Sequence, residues 1–318
     1  MGTVSSMSSL ATLAAAECCV PESWVNDVVR QGPSRVKTLR IEKSTPGKFR
    51  IISRPSAELE ILQRWLVLRF FEKMEVHDSA MAFRRGRSIL TNAQAHARSR
   101  FFVRVDFSNF FPSIRYADFS FALGKSKNLG YFFSEYADAG NFIQRICFDS
   151  NLKLPIGYIS SPTISNAVMF EFDVRMEGMV AANGGDLGNA KVTRYADDIV
   201  FSTDKKGGCA KFVELLRELV KTWASPLLSI NENKTIFSSS SGGSAIVTGL
   251  RVCSDSHITI TREYKDKIRL MLSLHAKKCL RPEDLPKLKG HLNYIRYVAP
   301  AFFSTLCAKY TSVIDKLI

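Results

Sequence analysis

Between Lys191 and Thr203 the chain reads KVTRYADDIVFST, two β-favouring runs joined at Tyr195-Ala196-Asp197-Asp198. The spacing predicts strand, tight turn, strand, which pushes both aspartates out at the tip of a hairpin. Adjacent aspartates in a turn are, taken alone, ordinary turn chemistry. They gain meaning beside a second strand, FFVRVDF at 101–107, which alternates in hydrophobicity and carries Asp106 near its end, with Phe107, Phe110 and Phe111 in attendance. Three carboxylates brought together repel one another unless cations lie between them. Two magnesium ions roughly 3.5–4 Å apart satisfy that arrangement and suit phosphoryl transfer, one at the attacking hydroxyl and one at a triphosphate.

The flanking segments read differently. Residues 1–20 are rich in Ser and Ala and predict a frayed leader, followed by a short helix from Glu22 to Arg30. Arg35–Ile41 and Phe49–Ile52, around Pro46-Gly47, predict a basic β-hairpin. Ser56 precedes the helical period Leu59, Leu62, Leu66, Phe70. A further helix is expected over 89–98, a Gly/Ser/Pro loop over 155–162, one helix over 163–176 and another over 211–221. Short strands follow at Ile236 and 246–253, separated by a linker over 238–244. From Arg262 onward the period is helical, through Ile268, Met271, Leu272, Leu285, Leu288, Leu292 and Ile295. Strands in the middle with helices at both ends argue α+β.

Charge separates the same regions. Residues 1–29 carry three acids and no Lys or Arg (−3), and residues 30–104 carry 17 basic and 6 acidic side chains (+11). Residues 105–256 carry 15 and 16 (−1), and residues 257–318 carry 12 and 5 (+7). A near-neutral centre between two basic lobes fits a polyanion cleft with positive walls and an acidic floor. Seven cysteines without a C-x-x-C pair suggest neither a disulfide framework nor a zinc site, so a reducing cytoplasm is the expected location. No apolar run approaches the roughly 20 residues that span a bilayer. Met1-Gly2 with Ser6 matches the myristoylation pattern in letters only.

The YADD box, the D-x-x-x-F-F box at Asp106–Phe111, and Leu154-Pro155-Ile156-Gly157 followed by Ser161-Pro162 resemble the palm and fingers motifs of reverse transcriptases, in the same order. The resemblance implies a right-hand polymerase fold. Residues 1–30 become leader and helix, 31–100 the first part of the fingers, 101–253 the palm with a fingers insertion at about 116–162, and 254–318 a helical thumb. It implies magnesium-dependent DNA synthesis, with Asp106, Asp197, Asp198 and the Phe107 backbone carbonyl as metal ligands. Phe111, five residues after Asp106, takes the position that packs on the sugar of an incoming deoxynucleoside triphosphate and excludes a 2′-hydroxyl. Lys48 and Arg50 become triphosphate contacts on the fingers hairpin. Gly157 allows close backbone approach to the base pair, and Lys234 approaches the pyrophosphate. Ile156 departs from the Gln common in this box.

Two further strings, Asn92-Ala93-Gln94-Ala95-His96 (N-A-x-x-H) and Val247-Thr248-Gly249, are similar to marks of bacterial retron reverse transcriptases. That family implies a structured non-coding RNA as template, priming from an internal guanosine 2′-hydroxyl, a branched multicopy single-stranded DNA product, and an effector protein acting against phage. On a helix Asn92 and His96 face the same way, so both are expected to touch one RNA segment. The basic C-terminal lobe becomes the RNA-reading thumb through Tyr264, Lys265, Lys267 and Arg269, with Lys277, Lys278 and Arg281 as a second cluster. Rival readings are a group II intron-like or diversity-generating enzyme, and an idle RNA-binding protein on the same fold.

Overall fold

The computed structural model describes residues 9–42, 47, 49–243 and 245–317. The Met1-Gly2/Ser6 pattern, Lys48 and the end of the 238–244 linker therefore lie outside the described residues.

Nine strands form three antiparallel sheets among the described residues. β1 (Val36–Glu42) and β2 (Phe49–Pro55) make a two-stranded hairpin, with Leu39 opposite Ile52 and Ile41 opposite Arg50. β3 (Phe101–Asp106), β4 (Lys191–Tyr195), β5 (Asp198–Thr203) and β6 (Ile236–Ser239) form the central sheet in the order β4-β5-β3-β6. β7 (Ile246–Val247), β8 (Leu250–Val252) and β9 (Ile258–Ile260) form a small sheet at the base of the C-terminal helices. β3 alternates as its sequence demands: Val103 and Val105 face the main core, while Phe102 faces a second one. The helix Gly208–Thr222 covers one side of the central sheet and stacks Phe212 on Phe201, ring centroids 4.1 Å apart.

The expected helix after Ser56 is present as Ala57–Arg69, and the Ser56 side chain caps it by accepting from the Leu59 amide. Leu59, Leu62 and Leu66 are buried, as the period requires. The expected single helix over 163–176 is two, Ser161–Val168 and Phe170–Ala182, broken at Met169.

The frayed-leader expectation is corrected for the part that is described. Leu10–Glu17 is a helix, and Leu10 and Ala14 are completely buried. Asp138 accepts hydrogen bonds from the Leu10 and Ala11 amides and the Ser9 hydroxyl, satisfying donors that a helix start leaves free. At the other end Glu17 accepts from the Trp65 indole and Arg69. Small alanines let this helix lie close against its neighbours, so a composition that looked like a leader is a packing surface.

Two apolar cores result. The larger runs from Leu10 through the helices to β3, β5 and Leu216. The second joins the C-terminal helices Arg262–Ala276, Leu285–Val298 and Pro300–Ile314 to the small sheet, and it includes Ala93, Phe102 and Val200 from the central region.

Candidate active site and nucleic-acid interface

The β3–β5 register sets Asp106 directly opposite Asp198, and β4 sets Tyr195 opposite Asp198. Directly paired residues share a sheet face with Cα atoms about 5 Å apart. Only Ala196 and Asp197 remain for the turn, and Ala196 takes a φ of +57°. The Phe107 amide donates to the Asp197 carbonyl at 3.0 Å, clipping the hairpin tip to the end of β3. On the other side the Asn231 amide donates to the Asp106 carbonyl and the Ser108 amide to the Ser229 carbonyl. These bonds flank the Phe107–Ile230 pair and leave the Phe107 carbonyl outside the pairing.

Asp106 is buried, while Asp197 and Asp198 are half-buried. Burial pushes the Asp198 carboxyl up to about 6; Arg104, 4.0 Å away, opposes the rise, and the charges of Asp197 and Asp106 add to it. Asp197 is raised as well, first by burial and then by Asp106. Lys234 places its ammonium 3.0 and 2.9 Å from the two Asp106 oxygens, and Asn231 Nδ2 lies 3.3 Å from one of them. Crowded oxygen donors with incomplete compensation by Arg104 and Lys234 are what a hard divalent cation suits. The trio is spread rather than tight. Among the described residues, the group whose ligand atoms all lie within 4.8 Å is Cys253, Asp255 and His257, on the β8–β9 turn, where Asp255 and His257 are exposed and already bonded to each other.

Phe110 and Phe111 divide their work. Phe110 is buried and stacks on Phe107, whereas Phe111 is half-buried at the edge, beside Phe83 at 6.4 Å. Sequence reasoning missed Phe83, which is half exposed with a φ of +58°; the signal available was Arg84-Arg85-Gly86 marking a turn. Arg50 is exposed on β2, close enough to help hold the Asp197 carboxylate ionised.

Gly157 has a φ of +109°, and a β-carbon there would lie 2.5 Å from the Ser53 carbonyl oxygen. The Ile156 carbonyl accepts from the Ser53 amide at 2.8 Å. The close approach that this glycine permits is thus to the β2 backbone, and the loop meets the hairpin through main chain that Ile serves as well as Gln.

The reading of Asn92 and His96 as surface contacts is corrected. Both are completely buried on the helix Ile89–Ala95 and its C-cap. They do face the same way, but inward: Thr193 bonds Asn92 Oδ1 at 2.7 Å and His96 Nε2 at 2.8 Å, and His96 Nδ1 meets the Ser202 hydroxyl at 2.7 Å. Burial lowers the His96 imidazole to about 4. Val247 is also buried, so it offers RNA no side chain. Thr248 (φ +46°) and Gly249 (φ +81°) form the β7–β8 turn, whose paired positive φ values match the favoured two-residue hairpin loop. The Thr248 hydroxyl donates to the Ile89 carbonyl at 3.1 Å, so the two strings meet in one joint.

In the C-terminal lobe, Tyr264 is turned into the helix packing, its hydroxyl 2.6 Å from His291 Nδ1. Lys265 and Arg269 lie over the Phe302 ring, and Arg269 also pairs with Asp266. Lys267, Lys277, Lys278 and Arg281 are exposed, Arg281 near Glu283 and Asp284. Lys289, Asn293, Arg296 and Tyr297 are also exposed and were missed, although Leu288, Leu292 and Ile295 facing inward already implied an outward row.

The chain matches the family model described as "Reverse transcriptase (RNA-dependent DNA polymerase)" over residues 41–278. It is 39% identical to the Retron Ec73 reverse transcriptase of Escherichia coli over 91% of each chain. The chain belongs to the retron reverse transcriptases. The Retron Ec83 enzyme of the same species is 28% identical over 86% of each chain, and Retron Ec86 is 30% identical over 82% of this chain and 76% of its own. This reverse transcriptase is accordingly an RNA-directed DNA polymerase with the right-hand fold, and reverse transcriptases use divalent metal ions. No helix among its described residues is long and apolar enough to cross a membrane.

The buried imidazole makes stability depend on pH. Between pH 6.5 and about 4 the unfolded chain protonates His96 and the folded enzyme does not, so stability falls with pH through that window and the loss is complete below it. Urea melts should show the wild type losing about 3 kcal/mol more than His96→Gln on going from pH 7 to pH 4. Equal losses in the two proteins would mean that the folded chain protonates this imidazole freely.

Proposed function

We propose that this reverse transcriptase copies part of one structured non-coding RNA into single-stranded DNA at a two-magnesium centre formed by Asp106, Asp197, Asp198 and the Phe107 carbonyl. The observation that carries the reading is the strand register that sets Asp106 against Asp198 at the hairpin tip. Bound magnesium would neutralise the carboxylates and supply the charge that nucleotidyl transfer requires.

The chain's own groups do the rest. Lys234 leaves the Asp106 carboxylate for the pyrophosphate, and Arg50 holds the triphosphate together with Lys48, two residues before it in the sequence. Phe111 closes the sugar site to a ribose 2′-hydroxyl, with Phe83 beside it. Residues 31–100 serve as fingers, 101–253 as palm with the inserted segment, and 254–318 as thumb. Exposed Lys267, Lys277, Lys278 and Arg281 contact RNA phosphates, because the narrow major groove of A-form RNA hides its bases. Asn92, His96 and Val247 build the joint that carries the Thr248-Gly249 turn. Similarity to retron enzymes supports priming from a guanosine 2′-hydroxyl, a branched product, a cytoplasmic location, and work with an effector protein in anti-phage defence.

Asp197→Ala should abolish DNA synthesis on whatever RNA copurifies with the wild-type enzyme, by at least about a thousand-fold, while affinity for that RNA stays within about two-fold. Synthesis surviving that change defeats the metal assignment. Phe111→Ala should raise ribonucleotide incorporation by at least about ten-fold in a primer-extension competition; unchanged sugar selectivity removes the gate. Replacing Lys277, Lys278 and Arg281 together by Gln should weaken RNA binding and flatten the plot of log affinity against log salt by about two to three. An unaltered slope would place the phosphate contacts elsewhere.

A further inference from the structure

β4 carries a completely buried arginine, Arg194, one residue before the YADD tyrosine. A charge in that position is costly unless every donor is matched. Nε and Nη2 fork onto the two Asp173 oxygens at 2.8 and 2.6 Å, and Asp173 is itself completely buried on the helix Phe170–Ala182. Nη1 remains. It lies 3.2 Å from the Ala196 carbonyl and 3.4 Å from Asn166 Oδ1.

The main chain of Arg194 is held too, its amide by the Ser79 carbonyl at 2.7 Å and its carbonyl by the Met81 amide at 2.8 Å. Asn166 reaches the Ala82 carbonyl at 2.8 Å, which closes the frame around the guanidinium. Ala196 is the turn residue with positive φ, a conformation that a β-carbon disfavours. Its carbonyl opens the peptide that leads into Asp197, and the next carbonyl is held by Phe107. The acidic tip is therefore gripped at two successive carbonyls, from β3 on one side and by a buried cation on the other.

We propose that Arg194, fixed by Asp173, is a positioning residue for catalysis: it holds the Ala196 carbonyl and through it the orientation of Asp197 and Asp198. An apolar pair of the same volume would fill the core equally well but could not hold a turn carbonyl. A lysine would keep the charge but lacks the planar fork that binds carboxylate and carbonyl together. The inference rests on the reading of the three aspartates as metal ligands.

The test uses the full-length enzyme with its RNA and titrates Mn2+ by electron paramagnetic resonance, beside kcat and the KM for deoxynucleotide. Arg194→Lys, assayed well below its own melting midpoint, should bind Mn2+ about ten-fold more weakly and lose about a hundred-fold in kcat, with RNA affinity and KM little changed. Adding Ala196→Gly removes the β-carbon from the strained position and should restore part of both losses. Wild-type Mn2+ affinity and kcat in folded Arg194→Lys overturn the proposal, as do losses that Ala196→Gly leaves untouched. If Arg194→Lys does not fold, Asp173→Asn takes its place. Failure of both to fold assigns the pair to core stability alone and overturns it equally. Asp197→Ala is the reference: if it keeps Mn2+ binding, the metal reading falls; if it loses binding while Arg194→Lys keeps it, only the positioning role falls.

Discussion

Like charges set opposite one another across a β-ladder are the constraint around which this molecule is arranged. Opposed carboxylates repel by an amount that grows as the separation and the local dielectric fall, and here Asp106 faces Asp198 with Asp197 at the same strand ends. The chain tolerates the crowding because main-chain bonds hold the tip whatever the side chains prefer. Phe107 clips Asp197, Asn231 clips Asp106, and positive charge comes from Lys234 on a flanking segment and Arg104 within β3 itself. Half-burial limits how far water screens the repulsion, which supports the proposed metal site.

The same logic explains why the centre was legible in the sequence. Period-two hydrophobicity places a strand, two polar residues between strands place a turn, and a carboxylate at each strand end follows from counting. The candidate sugar contact at Phe111 came from the resemblance of its box to reverse-transcriptase motifs together with its spacing from Asp106. The central strands, the helix after Ser56 and the C-terminal helices emerged from periodicity, although β3 and β5 bury both faces, one against each core.

What was misread depended on neighbours that a sequence does not name. Asn92 and His96 share a helix face, but which face meets the sheet depends on Thr193 and Ser202, about a hundred residues away. Gly157 was expected to need room, and the neighbour that requires it within the chain is the Ser53 carbonyl of β2. The helix Leu10–Glu17 lacks a polar stripe, so nothing in its own letters revealed that Asp138 would cap it. Arg194 leads into the YADD string, but its partner Asp173 lies on a helix 21 residues earlier that the strand's own letters do not name.

The second apolar core has a consequence for how this enzyme can be divided. Ala93, Phe102 and Val200 belong by sequence to the centre of the chain but pack among the C-terminal helices, and Ser88 bonds Tyr297 across the same seam. A fragment cut before the small sheet would carry away half of an interior and leave the other half wet. Grafting this lobe onto a sister enzyme would therefore require the helix Ile89–Ala95 and the outer face of β3 to travel with it. The lobe and the joint beneath it form one unit of packing.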